Sequence, residues 1–250
     1  MNKRKNIYYL NLTICSIMLL ATVFRFFFFS NINRLVSRDS VRYIDFAVNW
    51  RQDNTFYSKS VKNEKDFYYP PLLLSAMKYL SPNPDYCHVI GYALNLFCGI
   101  CFCGLVSYIS WLVIPRIGLA FFTGLLAATN PYLVELSIQV QRDMVYLLFY
   151  ASSVCVLLKR KISFCASLLY GIYSAFAFLT RYEGIELIVL WSIFALLLYL
   201  KNKKSIHFFV LKTALFVLVN ILTIISFSII MRIPFLLYSN QINKLCQFVK

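Results

Sequence analysis

The stretch HVIGYALNLFCGICFCGLVSYISWL, residues 88–112, contains no aspartate, glutamate, lysine or arginine. A helix needs roughly 20 predominantly apolar residues to cross the hydrocarbon core of a bilayer, and this stretch exceeds that length. Comparable apolar runs recur along the 250-residue chain, which is 60% hydrophobic and only 14% charged. A soluble domain of this size needs more polar surface than that composition provides. The sequence therefore predicts an all-α, polytopic membrane protein.

Hydropathy predicts about seven transmembrane helices, separated by short polar clusters. Their expected bounds are 7–30, 88–112, 117–134, 143–158, 162–180, 185–200 and 207–231. The first run is long for a signal peptide and no small-residue cleavage site follows it, so we expect an uncleaved span. One transmembrane domain would cover residues 1–235 and a C-terminal tail residues 236–250. The only long segment between spans is the predicted first outer loop, 31–87.

The charges of the connecting segments predict the orientation. Basic residues cluster at 3–5, Arg116, 159–161 and 201–204. If the spans alternate in direction, all four positions fall on one side of the membrane. Lysine and arginine mark cytoplasmic loops, so the N-terminus is expected inside and 31–87 outside, in a plasma or inner membrane. All ten acidic residues fall on the outer side or at outer helix ends. The net charge of +15 then reflects cytoplasmic loops and contacts with anionic lipid, so no nucleic-acid partner is expected.

Residues 38–52 predict an amphipathic helix in the first outer loop. Its polar positions recur at helical spacing, at Arg42, Asp45, Asn49 and Gln52. Its apolar face comprises Val41, Ile44, Ala47 and Val48, with Tyr43 and Trp50 at the flank. Such a helix is expected to lie on the outer membrane surface with its aromatic side chains at the level of the headgroups. Asp39 or Ser40 is the expected N-cap.

Two groups of charges interrupt apolar runs. Arg142 and Asp143 lie in QVQRDMVYLLFY (139–150), and Arg181 and Glu183 lie in LTRYEGIEL (179–187). A charge costs roughly 2.5–3.5 kcal/mol at the centre of a bilayer and less near its edge. Both groups are predicted at the outer ends of spans. Two interpretations of these charges stay open. They are either ordinary interfacial charges or the lining of one polar cavity at the outer face.

Four short motifs follow one another at predicted outer positions. They are Asp39-Ser40-Val41-Arg42-Tyr43, Pro70-Pro71-Leu72, Asn130-Pro131 followed by Arg142-Asp143, and the turn from Thr180 to Gly184. In this order they resemble the membrane-embedded glycosyltransferases of the GT-C type, which use polyprenyl-phosphate donors. Protein O-mannosyltransferases and lipid A aminoarabinose transferases are examples. Two positions differ from the family pattern, because Ser40 stands where glutamate is frequent and Tyr69 where some members have a phosphate-binding lysine.

The resemblance implies inverting transfer of a sugar from a polyprenyl phosphate to an acceptor hydroxyl at the extracytoplasmic face. It implies Asp39 as the general base and Asp143 as a second carboxylate. The implied donor-phosphate ligands are Arg142, Arg181 and Arg42, and the supporting residues are Tyr43, Glu183 and Tyr69. The acceptor, a glycolipid, polysaccharide or protein, stays open. Neither a cofactor nor a metal is expected, because the cysteines at 98–103 lie within an apolar run without a partner pair.

Other functional classes stay open beside the transferase. Members of the resembled family usually have more spans and an additional C-terminal domain. The alternatives are therefore a truncated enzyme, half of a split enzyme, or a degenerate protein that only binds lipid-linked sugar. A transporter or flippase subunit is another. Transporters usually carry ionisable groups near the bilayer midplane, together with repeats and broken helices. The clustering of charges at one face and the lack of a repeat favour the transferase.

Overall fold

The computed structural model describes residues 3–31, 37–54, 70–159, 163–202 and 206–233, and in these ranges the chain is helical without a β-strand. The helices are α1 Lys3–Asn31, α2 Arg38–Asp53, α3 Pro71–Leu80, α4 Cys87–Val113, α5 Ile117–Thr129, α6 Pro131–Ile138, α7 Arg142–Leu158, α8 Phe164–Thr180, α9 Glu186–Asn202 and α10 Ile206–Ile230. Short 3-10 turns, Pro84–Tyr86 and Tyr182–Ile185, precede α4 and α9. The predicted all-α class is confirmed for these ranges, and the predicted tail at 236–250 lies outside them.

Several helices have the length and apolar composition of membrane spans, which indicates a membrane protein. Three qualify singly, over Asn6–Ser30, Pro84–Val113 and Val210–Ile230. A fourth arises if α5 and α6, which bend by 57° where they meet, are counted as one broken span. Helices α7, α8 and α9 have 17 residues each. The described residues therefore contain three or four qualifying spans, fewer than the seven that hydropathy predicts.

The bend between α5 and α6 follows from the sequence Asn130-Pro131. Pro131 has no N–H to continue the hydrogen bonds of α5, so the helix ends at Thr129. The Asn130 side chain then accepts a hydrogen bond from the Leu133 amide at 3.1 Å and caps α6. The sequence predicted a break at Asn130-Pro131, but the break lies inside the span predicted over 117–134, and a separate short helix follows it.

Arg25 of α1 stabilises this bend, and the sequence analysis had not singled it out. Its guanidinium is fully buried and donates to the Ala128 carbonyl at 3.4 Å and the Cys103 sulfur at 3.3 Å. Ala128 lies in the last turn of α5, whose carbonyls have no partner within the helix. A cation at that point also complements the partial negative charge of the helix C-terminus. Arg25 therefore offsets part of its burial cost by capping α5.

Helix α2 corrects two expectations. Ser37, rather than Asp39 or Ser40, caps it, because Ser37 Oγ accepts from the Ser40 amide at 3.1 Å. Tyr43 and Trp50 are buried in the core of the protein instead of lying at the headgroup level. They share their face with Phe46 and Ala47, at helical spacing. The physical reason is that α2 packs on α3 and α4, so its largest side chains pack into protein rather than lipid.

The helices begin and end in two separate regions, at opposite ends of the bundle. One, here called the site end, contains α2, α3 and both 3-10 turns. It also contains the start of α7, because Gln141 Nε2 donates to Ser37 Oγ at 3.3 Å, and the end of α8, because Arg181 pairs with Asp143. The opposite end contains the α4–α5 connection and Lys159, whose Nζ lies 5.8 Å from the centre of the Tyr108 ring. The long span α4 separates the two ends.

The two ends are expected on opposite sides of the membrane. Asp85, in the first 3-10 turn, and Arg116, before α5, are both exposed, so a cysteine introduced at either position is accessible to a labelling reagent. A membrane-impermeant maleimide should label Asp85→Cys in intact cells and Arg116→Cys only after permeabilisation, because basic loops face the cytoplasm. The unsubstituted chain serves as the background control. Labelling of both positions in intact cells would contradict the two-ended arrangement.

Candidate functional site

Arg181, between α8 and the second 3-10 turn, is the centre of a charged network. Its Nε and Nη2 donate to Glu183 Oε2 and Oε1 at 3.2 and 2.6 Å. Its Nη1 forms an ion pair with Asp143 Oδ1, at the start of α7. This fork is the geometry in which arginine binds carboxylates best. One guanidinium thus joins two carboxylates and connects the end of α8 to the start of α7.

The turn that carries Arg181 and Glu183 depends on Gly184. The Arg181 amide still bonds the Ala177 carbonyl at 2.9 Å, which closes α8. The chain then folds back so closely that a Cβ on Gly184 would lie 2.7 Å from Cα of Phe178. Only glycine allows two backbone segments to approach to that distance. The glycine therefore brings the Glu183 carboxylate within reach of Arg181.

Burial and hydrogen bonding compete at this network. Burial raises the pKa of Glu183, but the hydrogen bonds and charge of Arg181 outweigh it and hold that pKa below its ordinary value. The hydrogen bonds to Glu183 raise the pKa of Arg181, and the charge of Asp143 raises it further. Burial lowers this pKa but does not outweigh the other two effects. Arg181 and Glu183 are therefore both charged at neutral pH.

Tyr43 of α2 presents its hydroxyl to the same region. Its side chain is 1% exposed, and Arg142, Asp39, Asp143 and Arg181 all act electrostatically on it. Burial raises the pKa of Tyr43 well above its ordinary value, and the arginines offset only part of this effect. The phenol is therefore protonated at physiological pH and can donate a hydrogen bond.

The two ion pairs of Arg181 and the electrostatic effects on Tyr43 and Glu183 place most of the predicted site residues in one region. We define the Arg181 cluster as Asp39, Tyr43, Arg142, Asp143, Arg181 and Glu183. Arg142 acts on both the Tyr43 hydroxyl and the Glu183 carboxylate. Arg42 is half-buried and precedes Tyr43 on α2. Tyr69 lies outside the described residues.

A chain of amides, which the sequence analysis did not assign to the site, links α2 to the start of α7. Gln141 Nε2 donates to Ser37 Oγ at 3.3 Å and to Gln139 Oε1 at 2.6 Å. Gln139 is buried and donates in turn to Glu135 at 3.2 Å. Because Ser37 caps α2, this chain fixes the start of α2 beside the start of α7. In the sequence, the only indication of this hydrogen-bonded chain was the pair of alternating glutamines that precedes Arg142.

Within the ranges that the structure describes, no group of three or more His, Cys, Asp or Glu side chains could hold a metal ion. Comparison with family models, with curated proteins and with solved structures finds no match. The glycosyltransferase resemblance of the four motifs therefore stays a prediction, and the geometry of the Arg181 cluster is the basis for a functional proposal.

Glu183→Gln should flatten the pH dependence of stability. Because the folded pKa of Glu183 lies below the ordinary value of about 4.3, its contribution is complete above that pH and is lost as the pH falls through the folded pKa. The partly exposed pair is expected to contribute about 1 kcal/mol, which corresponds to a Tm lower by about 2–4 °C at neutral pH. The measurement is Tm of the purified protein in detergent between neutral and acid pH.

The control for this prediction is Asp85→Asn, which changes an exposed acid elsewhere at the site end. It should keep the acid-induced loss of Tm seen in the unsubstituted protein. An identical pH dependence in Glu183→Gln and the unsubstituted protein would show that the Arg181–Glu183 bonds do not stabilise the fold.

Proposed function

We propose that this chain is a multi-pass membrane glycosyltransferase of the GT-C type. It moves a sugar from a polyprenyl-phosphate donor to an acceptor hydroxyl at the extracytoplasmic face, with inversion at the anomeric carbon. The observation that carries the proposal is the convergence of carboxylates and arginines from three separate segments around Tyr43, at one end of a bundle of apolar helices. The order of the four motifs supports the same reading.

The proposal includes seven membrane spans. Helices α7, α8 and α9 would complete the set, because 17 residues is the lower limit of roughly 17–25 residues for a transmembrane helix. Both α7 and α8 pack against neighbouring helices along the bundle. With seven alternating spans the site end faces outward and the basic clusters face the cytoplasm. The Arg181 cluster then lies at the depth of lipid headgroups, where a lipid-borne phosphate is located.

The donor phosphate needs positive charge as it leaves. Arg142 is best placed for this role, because it opens α7 and acts on both Tyr43 and Glu183. The first turn of α7 has no side-chain cap, so its amide groups and the helix dipole add to the attraction for an anion. Arg42 is the second candidate ligand. Arg181 has only part of its five N–H groups left for phosphate, since Asp143 and Glu183 already accept from three.

The acceptor hydroxyl needs a carboxylate that accepts its proton. Asp39 is exposed at the start of α2, and because Ser37 serves as the N-cap, Asp39 is not needed for capping. Asp143 is held by Arg181 and is suited to orient the acceptor. As the acceptor oxygen attacks the anomeric carbon, its proton moves to Asp39. The bond from that carbon to the phosphate oxygen breaks, and the electron pair stays on the phosphate beside Arg142.

A second candidate function follows from the broken span α5–α6. Discontinuous helices with bends such as this 57° one are typical of transporters, which bind substrate at the break. A transporter or flippase subunit, or a protein that binds lipid-linked sugar without transferring it, would share the phosphate-binding arginines. The two classes differ in the carboxylates, because only the transferase needs Asp39 as a base.

Asp39→Asn should lower sugar transfer by about 10²-fold or more while donor binding persists, because asparagine cannot accept the proton. The assay follows a radiolabelled sugar from polyprenyl phosphate to lipid or polymer acceptors in membranes containing the protein. Asp45→Asn, an exposed acid on the same helix, is the matched control and should keep full activity. Full transfer by Asp39→Asn would remove the catalytic assignment, and donor binding without transfer by the unsubstituted protein would favour the binding protein.

Arg142→Ala should weaken binding of the polyprenyl-phosphate sugar, by about tenfold for the loss of one charge-assisted contact. Arg142→Lys should recover only part, because it lacks the planar fork. Arg116→Ala, at the opposite end, is the control, and binding is measured by titration of the purified protein. Unchanged donor affinity in Arg142→Ala would reduce this arginine to an interfacial anchor.

A further inference from the structure

A second charged cluster lies at the far end of α2, about 18 Å from Asp39 along the helix, and the proposed transfer does not use it. Lys78 of α3 is its buried member, with 5% of its surface exposed. Its Nζ donates to Asn54 Oδ1 at 2.8 Å and lies 4.5 Å from the centre of the Trp50 ring and 5.0 Å from that of Tyr79. These contacts hold the ammonium group without neutralising its charge.

Two arginines stand beside Lys78. Arg51 donates from Nη1 to the Lys78 carbonyl and from Nη2 to the Pro82 carbonyl at 3.0 Å, so two backbone oxygens hold it. Arg232 follows α10 and is exposed. Its neighbour Ile233 is buried in the same core cluster as Trp50 of α2 and Met77 of α3. We call Arg51, Lys78 and Arg232 the Lys78 cluster.

The three cations repel one another. Burial lowers the pKa of Lys78, and the charges of Arg232 and Arg51 lower it further. Among the described residues, Lys78 and Arg51 donate hydrogen bonds to an amide oxygen and to backbone carbonyls, not to a carboxylate. Cations concentrated in this way attract an anion, and arginine matches the oxygens of a phosphate especially well.

The surroundings of the cluster indicate where the anion comes from. Ile229 and Ile230, the last residues of the span α10, are 67% and 69% exposed and directly precede the turn with Arg232. Apolar side chains exposed on a membrane span face lipid, so the cluster lies where that lipid-facing surface ends. Tyr79 is also exposed there, as aromatic residues at a membrane interface commonly are.

We propose that Arg51, Lys78 and Arg232 bind the phosphate of an anionic phospholipid whose acyl chains lie along the exposed face of α10. Arg232 reaches the phosphate from the surface, and Arg51 contributes the N–H groups that its two carbonyls leave unused. Lys78 adds charge from beneath. This site is separate from the Arg181 cluster and does not depend on sugar transfer. It would hold α2, α3 and the end of α10 together through a bound lipid.

The test compares lipid binding to purified protein in detergent. Phosphatidylglycerol and phosphatidylcholine with identical acyl chains are titrated, and bound lipid is counted by native mass spectrometry, with Tm followed in parallel. The unsubstituted protein should prefer phosphatidylglycerol. Arg232→Gln should bind it about fivefold more weakly, the effect expected for one basic residue near an anionic headgroup. Arg232→Lys should retain most of the binding, and Arg116→Gln, at the opposite end, all of it.

Further arms identify the ligand. Inorganic phosphate should compete with phosphatidylglycerol only at far higher concentration, because it lacks the chains that contact α10. Asp39→Asn and Arg142→Ala should bind phosphatidylglycerol normally, so failure of the transferase proposal would leave this result unchanged. Equal binding by the unsubstituted protein, Arg232→Gln and Arg116→Gln would overturn the site. If Arg232→Gln lost binding of polyprenyl phosphate but kept binding of phosphatidylglycerol, that result would also overturn the site. Lys78→Gln provides the same comparison if Arg232→Gln does not give monodisperse protein.

Discussion

The site end depends on one interaction, the fork of Arg181 between Asp143 and Glu183. Charges this close to apolar helices are tolerated when they are paired and hydrogen-bonded. Arg181 meets that condition for two carboxylates at once, and in doing so it fixes the end of α8 against the start of α7. The charge of Arg181 also acts on the Tyr43 hydroxyl of α2, and the hydrogen bond from Gln141 to Ser37 holds the start of α2 beside the start of α7.

Most helices were predictable from hydropathy, because an apolar run bounded by charges has no other stable structure in a bilayer. The bounds of α4, predicted as 88–112 and found as Cys87–Val113, illustrate this. Helical periodicity also predicted α2, but not its buried face. Periodicity gives the phase of a helix and does not say whether lipid or protein covers it, so Tyr43 and Trp50 were assigned to the flank. The number of spans was harder, since helices of 17 residues lie at the limit of the length criterion.

The site was predictable to the extent that it rests on topology. Alternating spans put Asp143 and Arg181 on one face, although they are 38 residues apart, but only packing decides that they touch. Buried cations escaped prediction altogether. Arg25 and Lys78 are held by carbonyl oxygens, a thiol, an amide and aromatic rings, and such partners form no pattern in a sequence. Gln141 escaped for the same reason, because its role depends on a residue at the distant start of α2.

The most direct test of this account is a double-mutant cycle on Asp143 and Arg181. The free energy of unfolding is measured in mixed micelles for the unsubstituted protein, Asp143→Asn, Arg181→Gln and the double variant. If the fork organises the site end, the two effects should be coupled by about 0.5–3 kcal/mol, as found for residues in one ion-pair network. Asp85→Asn with Arg181→Gln is the control pair and should be additive. Additivity of Asp143→Asn and Arg181→Gln within about 0.3 kcal/mol would contradict the account.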